Sequence, residues 1–261
     1  MIAPYVTSHV LPGGSALPLL GFGTWQVEGA QAVDAVAYAL DIGYRHVDTA
    51  TGYSNEVEVG RGLVESGVPR ALVFVATKCQ PEHAGRERET IEQSLKNLGL
   101  DYVDLWLVHW PPNGEARPEM WREFIRARDD ELVREIGVSN YSIAQIDELI
   151  EATGVTPEVN QIPWSPKDFD PELLAAHTER GIVLEGYSPL RRSDLDNTVL
   201  REIAEDYGVV PSQVVLLWHL AHGISVIPKS ANHARITANL DVLGFALTAD
   251  DVAAIDALSK G

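Results

Sequence analysis

The feature that most constrains this chain is a rhythm. Short β-branched runs alternate with longer amphipathic segments from one end to the other. The strand-like runs are Leu19–Gly23, Tyr44–Asp48, Leu72–Thr77, Val103–Val108, Glu135–Ser139, Glu158–Gln161, Val183–Tyr187 and Ser225–Ile227. Stretches such as VFVAT and LWLV are apolar at every position, as parallel strands covered on both faces are. Between them, the 3.6-residue period predicts helices over Gln31–Ile42, Glu87–Leu98, Glu119–Arg128, Ile143–Ala152 and Pro171–Arg180. Two in succession, Asn197–Tyr207 and Pro211–His222, precede the last strand. Eight runs in 261 residues give about 33 residues per unit. A βαβ unit takes roughly 30, and a closed (β/α)8 barrel roughly 250 in all.

A doubly wound sheet makes a different demand: a strand, then G-x-G-x-x-G, then a helix. Only Gly21-Phe22-Gly23 is present, and no third glycine follows in place. No linker, low-complexity tract or break in composition marks a second unit. The expectation is therefore an α/β chain forming a single (β/α)8 TIM barrel domain over residues 1–261. Tyr5–Pro18 reads as a hairpin turning at Pro12-Gly13-Gly14 and closing the barrel bottom. Thr248–Leu258 reads as a final helix, with Thr248 as N-cap and Asp250 and Asp251 in the first turn.

Charge and cysteine content narrow the function classes. Twenty basic against 38 acidic residues leave a net charge of −18. Such a surface repels phosphate backbones and anionic bilayers, so neither a nucleic-acid nor a membrane partner is expected. A small anion can still be held by local cations, because salt screens the distant field beyond about 8 Å. The single cysteine, Cys79, permits no intrachain disulfide and no multi-cysteine metal site. The histidines outside the strand ends show no ligand spacing, so no metal is expected. A lone cysteine suits a reducing cytoplasm, which is the expected location, and the first residues, MIAPYVTSHVLPGG, do not read as an export signal.

In such a barrel the reactive groups gather at the C-terminal ends of the strands. Here those ends carry Asp48, Lys78, His109, Ser139 and Asn140, Gln161, Tyr187 and Lys229. Asp48, Lys78, His109 and Ser139 follow one another at gaps of 30, 31 and 30 residues, in step with the repeat. Each taken singly has a plainer reading. Asp48 suits a helix cap, Lys78 a snorkelling side chain, His109 a turn before Trp110-Pro111, and Ser139-Asn140 a strand-to-helix cap. Taken together and in phase, they converge on one mouth.

The residues at these positions resemble the aldo-keto reductase family over nearly the whole chain. The carrying motifs are GFGTW (21–25), HVDTATGYSNE (46–56), VATK (75–78), LVHWP (107–111), IGVSN (136–140), VNQI (159–162), GYSPL (186–190) and IPKS (227–230). Within the family, the chain is most similar to a bacterial branch of diketogluconate- and methylglyoxal-reductase-like proteins. The resemblance implies a monomeric NADPH-dependent oxidoreductase of the alcohol dehydrogenase (NADP+) type, acting on a small-molecule carbonyl substrate. Tyr53 would be the acid, Asp48 and Lys78 would tune it, and His109 would orient and polarise the carbonyl. A free tyrosine loses its proton near pH 10, so bringing it toward neutrality takes about 3 pH units, or about 4 kcal/mol. A neighbouring ammonium is expected to supply that.

By the same resemblance, NADPH or NADP+ meets several further positions. Ser139, Asn140 and Gln161 would bind the nicotinamide carboxamide, and the Tyr187 ring would stack on the nicotinamide. Gly23, Thr24, Ser188 and Leu190 would add backbone or hydroxyl contacts, and Asp48 lies beside them. Lys229, Ser230, Arg235 and Asn239 would grip the adenosine end, where two cations and a hydroxyl suit a 2′-phosphate. Ala238 stands where the family often has a glutamate against adenine. Arg191 and Arg192 replace a small loop, either reaching the pyrophosphate or remaining solvated. Trp25 and Trp110, with Phe22 nearby, would wall the substrate pocket beside Tyr53 and His109. Relatives often carry a loop past the last helix that covers the mouth. The sequence stops at Gly261, so an open, broadly accepting pocket for aldehydes, small ketones or dicarbonyls is expected. Two other readings stay open: a cofactor-binding regulatory barrel with incidental turnover, and an unrelated barrel isomerase or lyase acting on phosphate sugars.

Overall fold

A computed structural model describes residues 8–260. Ser8–Val10 (β1) and Ala16–Pro18 (β2) pair antiparallel. This is the hairpin expected at the N-terminus, of which residues 5–7 lie outside the described residues. Eight parallel strands follow: Phe22–Gly23 (β3), His46–Asp48 (β4), Phe74–Cys79 (β5), Val103–Val108 (β6), Val133–Ser139 (β7), Val159–Pro163 (β8), Val183–Tyr187 (β9) and Ser225–Ile227 (β10). They lie in sequence order, and the bridges Leu20↔Val226 and Gly23↔Lys229 bring β3 round to β10 and close the barrel.

The predicted elements are present with ends shifted by a few residues. The helices are Gly29–Ile42 (α1), Glu56–Glu65 (α2), Glu87–Leu98 (α3), Pro118–Asp129 (α4), Ile143–Thr153 (α5), Pro171–Glu179 (α6), Thr198–Tyr207 (α7), Pro211–Ala221 (α8), His233–Leu240 (α9) and Ala249–Asp256 (α10). Two of them, α2 and α9, are additions to the sequence reading. The segment EVEVGRGLVE of α2 carries two glycines and a strand-like Val-Glu alternation, which hides its period. The glycines are demanded by packing. A Cβ at Gly60 would lie 2.4 Å from the Leu98 carbonyl oxygen, and one at Gly62 would lie 2.7 Å from the Val36 side chain. At the end of the chain, Thr248 caps α10 as expected, accepting from the Asp251 amide at 3.1 Å.

Alternation along the strands sorts side chains between the barrel lumen and the helix layer. Val47, Val75, Trp106, Ile136 and Val138 face outward into the core beneath α1–α5. Phe22 belongs to this outer set and packs edge-on to Tyr44 at 5.8 Å, which corrects its expected place near the pocket. Cys79 is also buried in the outer core. Burial, with Glu87 adding repulsion, pushes its thiol up to about 12, so it is inert. The lower lumen is filled by Leu11 and Leu17 of the hairpin with Phe74, Ala76, Leu105, Leu107 and Val159.

The hairpin turn is fastened from below by a carboxylate. Glu135 of β7 accepts from the Gly13 amide at 3.1 Å and the Ser15 amide at 3.0 Å. Glu158, beside it, accepts from the Ile136 amide at 2.7 Å and lies 3.2 Å from Arg128. Burial, then the neighbouring Glu135 charge, push Glu158 up to about 8. The folded chain thus keeps a proton that the unfolded chain releases above its ordinary carboxyl range. The stability this proton provides is complete at low pH and is lost as pH rises through about 8. Urea unfolding at pH 6 and pH 9 should show the wild type losing roughly 1 to 3 kcal/mol more than Glu158→Gln over that interval. Equal losses would contradict the assignment.

Candidate active site

The strand-end residues meet at one mouth, where a cavity of about 780 Å3 opens. Its wall includes Asp48, Tyr53, His109, Ser139, Asn140, Gln161, Tyr187 and Lys229. Under this wall Lys78 is fully buried on β5. Its Nζ donates to Asp48 Oδ1 at 2.6 Å, to Asp48 Oδ2 at 2.7 Å and to the Thr49 carbonyl at 2.8 Å. Neither residue has its plainer role, since Lys78 does not reach solvent and Asp48 caps no helix. Burial works against the Lys78 ammonium, but the Asp48 charge and its hydrogen bonds outweigh it and its affinity for the proton is raised. It stays charged across the working pH range.

Tyr53 ends a 3-10 turn, Thr51–Tyr53, that follows β4. The Thr51 hydroxyl donates to the Lys78 carbonyl at 2.9 Å and ties this turn to β5. Lys78 Nζ lies 5.2 Å from the Tyr53 ring centroid, and the His109 ring stands edge-on to Tyr53 at 5.7 Å. The expected acidification of Tyr53 is not what the free protein has. Burial raises its affinity for the proton more than Lys78 lowers it, and Asp48 adds to the rise. Burial is the larger cause, and geometry adds to it: Lys78 presents a cation already countered by two carboxylate oxygens, so the phenol meets a dipole rather than a bare charge.

His109 is pushed down to about 3, by burial first and then by Lys78, and is therefore neutral at pH 7. Its Nδ1 is buried without a hydrogen-bond partner among the described residues. Next to it the polar wall is tightly knitted. Asn140 Nδ2 donates to the His109 carbonyl at 3.0 Å and to Ser139 Oγ at 2.9 Å, while the Tyr187 hydroxyl donates to Asn140 Oδ1 at 2.9 Å. Ser139 Oγ donates to the Gln161 carbonyl at 2.8 Å. Ser139 and Asn140 cap no helix, because Ser142 caps α5. Asn140 and Ser188 hold φ of 64° and 55°, costly conformations for residues with a Cβ and common at functional sites.

Gly23, Ser188, Leu190, Trp25 and Trp110 line the cavity as expected, and the two tryptophans are partly exposed. Thr24 is a correction. Its hydroxyl is buried and donates to the Asp48 carbonyl at 2.9 Å, so it supports β4 instead of facing the cavity. Arg191 places its guanidinium 5.3 Å from the Trp25 ring centroid, and Arg192 is bound by Asp168 at 2.5 and 2.8 Å. Neither is merely solvated. Lys229 and Arg235 are exposed and form no ion pair among the described residues. Ser230 Oγ accepts from the Asn232 amide, Asn232 caps α9, and Asn239 is buried.

Several contributors were not anticipated. Gln26, Gln80, Lys167 and Pro189 join the cavity wall. Asn55 donates to the Thr24 and Val27 carbonyls, both at 2.9 Å, and so fixes the loop after β3. Glu185 lies under Gln161 inside the barrel; a charged residue within the apolar run VLEGY was the signal for it. Asp48 is the one carboxylate among the described cavity-lining residues, and Lys78 already counters it. With Lys167, Arg191 and Lys229 on the rim, this is a cationic recess on a chain of net charge −18.

Among the described residues no helix is long and apolar enough to cross a membrane, and no cluster of metal-ligating side chains occurs. The Aldo/keto reductase family model matches residues 19–260. A 2,5-diketo-D-gluconic acid reductase B of a Corynebacterium species is 45% identical over 263 residues, covering 99% of this chain and 95% of that protein. The methylglyoxal reductase DkgA of Escherichia coli K12 is 40% identical over 255 residues, covering 96% and 93%. The crystal structure of a Bombyx mori aldo-keto reductase in complex with NADP superposes with a TM-score of 0.90 at 32% identity, covering 98% of this chain and 94% of that one.

Because Lys78 and Asp48 are both withdrawn from water, removing one partner leaves the other uncompensated. Lys78→Met should lower stability by about 3 to 5 kcal/mol in urea unfolding, and adding Asp48→Asn should recover part of that loss. A double variant no more stable than the single one would contradict the pairing.

Proposed function

This chain belongs to the aldo/keto reductase family, and on that premise we propose that it is an NADPH-dependent reductase of aldehydes, small ketones and dicarbonyls with Tyr53 as general acid. The observation that carries the reading is a buried ammonium–carboxylate pair set beneath a tyrosine and a neutral histidine on one cavity wall. The names of the relatives, one a diketo-acid reductase and one a methylglyoxal reductase, support dicarbonyl substrates.

The residues present fit a nicotinamide dinucleotide. Gln161 lines the cavity with its Nε2 committed to Asp48 and Glu185, and Lys229 and Arg235 are exposed cations with no ion pair among the described residues. The NADP complex of a relative supports the same cofactor. Ser139, Asn140 and Gln161 would hold the carboxamide, and Tyr187 would flank the ring. Gly23, Ser188 and Leu190 would wall the cleft, Lys229, Ser230 and Arg235 would take the 2′-phosphate, and Asn239 would lie by the adenine. When bound, NADPH supplies the hydride that no side chain can.

The chain's own residues do the rest. A carbonyl oxygen seated between Tyr53 and His109 meets a phenol that keeps its proton at neutral pH and a neutral imidazole able to donate one N–H. Tyr53 releases its proton to that oxygen as negative charge develops there. The phenolate left behind lies beside the Lys78 ammonium, which Asp48 and the Thr49 carbonyl prevent from turning away. His109, already neutral well below pH 7, contributes no pH-dependent step of its own in the physiological range.

With NADPH and a panel of aldehydes and 1,2-dicarbonyls, Tyr53→Phe should lower kcat by about 10²- to 10⁴-fold while leaving NADPH affinity within about twofold. Unchanged turnover would remove Tyr53 as the acid. NADPH binding without turnover in the wild type would favour the regulatory barrel. Loss of a charge-assisted phosphate contact in Arg235→Ala should raise KM for NADPH roughly tenfold and leave KM for NADH nearly unchanged. An equal effect on both coenzymes would contradict the phosphate role.

A further inference from the structure

The barrel holds a second carboxylate for which the proposed chemistry has no use. Glu185 on β9 is fully buried, and no lysine or arginine among the described residues forms an ion pair with it. Its Oε1 accepts from the Ser225 hydroxyl at 2.9 Å, and His46 Nδ1 lies 3.7 Å from the same oxygen. Its Oε2 accepts from Gln161 Nε2 at 2.7 Å. Withdrawing a carboxylate from water with so little compensation is costly, so what it does to its neighbours is informative.

The neighbour it governs is Gln161. Both N–H groups of that side chain are committed, one to Glu185 Oε2 and the other to Asp48 Oδ2 at 2.9 Å. Gln161 lines the cavity, and its carbonyl oxygen, Oε1, is the end of the amide that these two bonds leave over. Turning the amide over would set an oxygen against two carboxylate oxygens. Asp48 enforces this only weakly, because Lys78 donates to both its oxygens. Glu185 feels Lys78 only at a distance and has no lysine or arginine in contact among the described residues, so it weighs more in the choice.

We propose that Glu185 is a positioning residue that locks the Gln161 amide with its carbonyl toward the cavity, so that the site accepts a ring bearing a primary carboxamide and rejects one bearing a carboxylic acid. This rests on the reading that Gln161 meets the nicotinamide carboxamide. A locked acceptor matches the –NH2 of that group. It opposes the carboxylate of the nicotinic acid analogue, whose charge would also face Glu185. Released from the lock, the Gln161 amide can turn and offer an N–H to the acid.

The test compares equilibrium binding of NADP+, nicotinic acid adenine dinucleotide phosphate and 2′,5′-ADP, the last lacking the ring altogether. Wild type should prefer NADP+ to the acid analogue by at least about a hundredfold. Glu185→Gln should narrow that ratio about tenfold or more, chiefly by binding the acid analogue more tightly, with 2′,5′-ADP unchanged. Glu185→Asp keeps the charge but withdraws it from Gln161. It should narrow the ratio as well, which separates orientation from net charge and serves if the glutamine variant does not fold. A ratio unchanged in the Glu185 variants, or 2′,5′-ADP weakened in step with NADP+, would overturn the proposal. A wild type that does not discriminate, or a Gln161→Leu variant with the wild-type ratio, would instead defeat the underlying reading of Gln161.

Discussion

An ammonium sealed inside a barrel must be neutralised on the spot, and Lys78 is neutralised by Asp48 across the β4–β5 seam at 2.6 and 2.7 Å. That pair depends on strand register: Asp48 stands beside Ala76, two residues before Lys78, so both side chains point to the same face. Once it is set, its neighbours have little freedom. The third contact of the ammonium fixes the Thr49 carbonyl, Thr51 ties the turn carrying Tyr53 to the strand carrying Lys78, and Gln161 spans from Asp48 to Glu185. The pair therefore links β4 and β5 to β8 and β9 across the barrel as well as supplying a charge.

The same pairing helps explain why Tyr53, the proposed acid, is weaker in the free protein than a nearby lysine suggests. Attraction to a countered cation falls off faster than attraction to a bare one, whereas the penalty for charging a buried phenol is undiminished. A proton donor need only keep its proton until the oxygen opposite becomes basic. A phenol held above its ordinary value and backed by an ammonium meets that need. His109 follows a parallel logic: burial and Lys78 keep it uncharged, so it can donate without competing for the proton.

Much of this was legible before any coordinates. Parallel strands covered on both faces must be apolar, so the first polar residue after each run marks the barrel mouth, and the repeat brings Asp48, Lys78, His109 and Ser139 into phase. Directions along strands were less legible. Phe22 lies between two glycines that face inward, so it is turned to the helix layer, and Thr24 spends its hydroxyl on the Asp48 carbonyl. The helix Glu56–Glu65 was hidden by glycines whose reason is a neighbouring helix, which no local propensity records. The balance between burial and a shared charge at Tyr53 depends on distances a sequence does not contain. The partners of Arg191 and Arg192 depend on where the loops after β8 and β9 meet the loop carrying Trp25.

The central claim is that the Lys78 ammonium stabilises the charge left on Tyr53 when its proton departs. Single-turnover reduction of methylglyoxal by Lys78→Met, with NADPH binding verified in the same sample, addresses it most directly. The claim predicts a chemical step slowed by about a hundredfold or more. A variant that binds NADPH and turns over at the wild-type rate would contradict it.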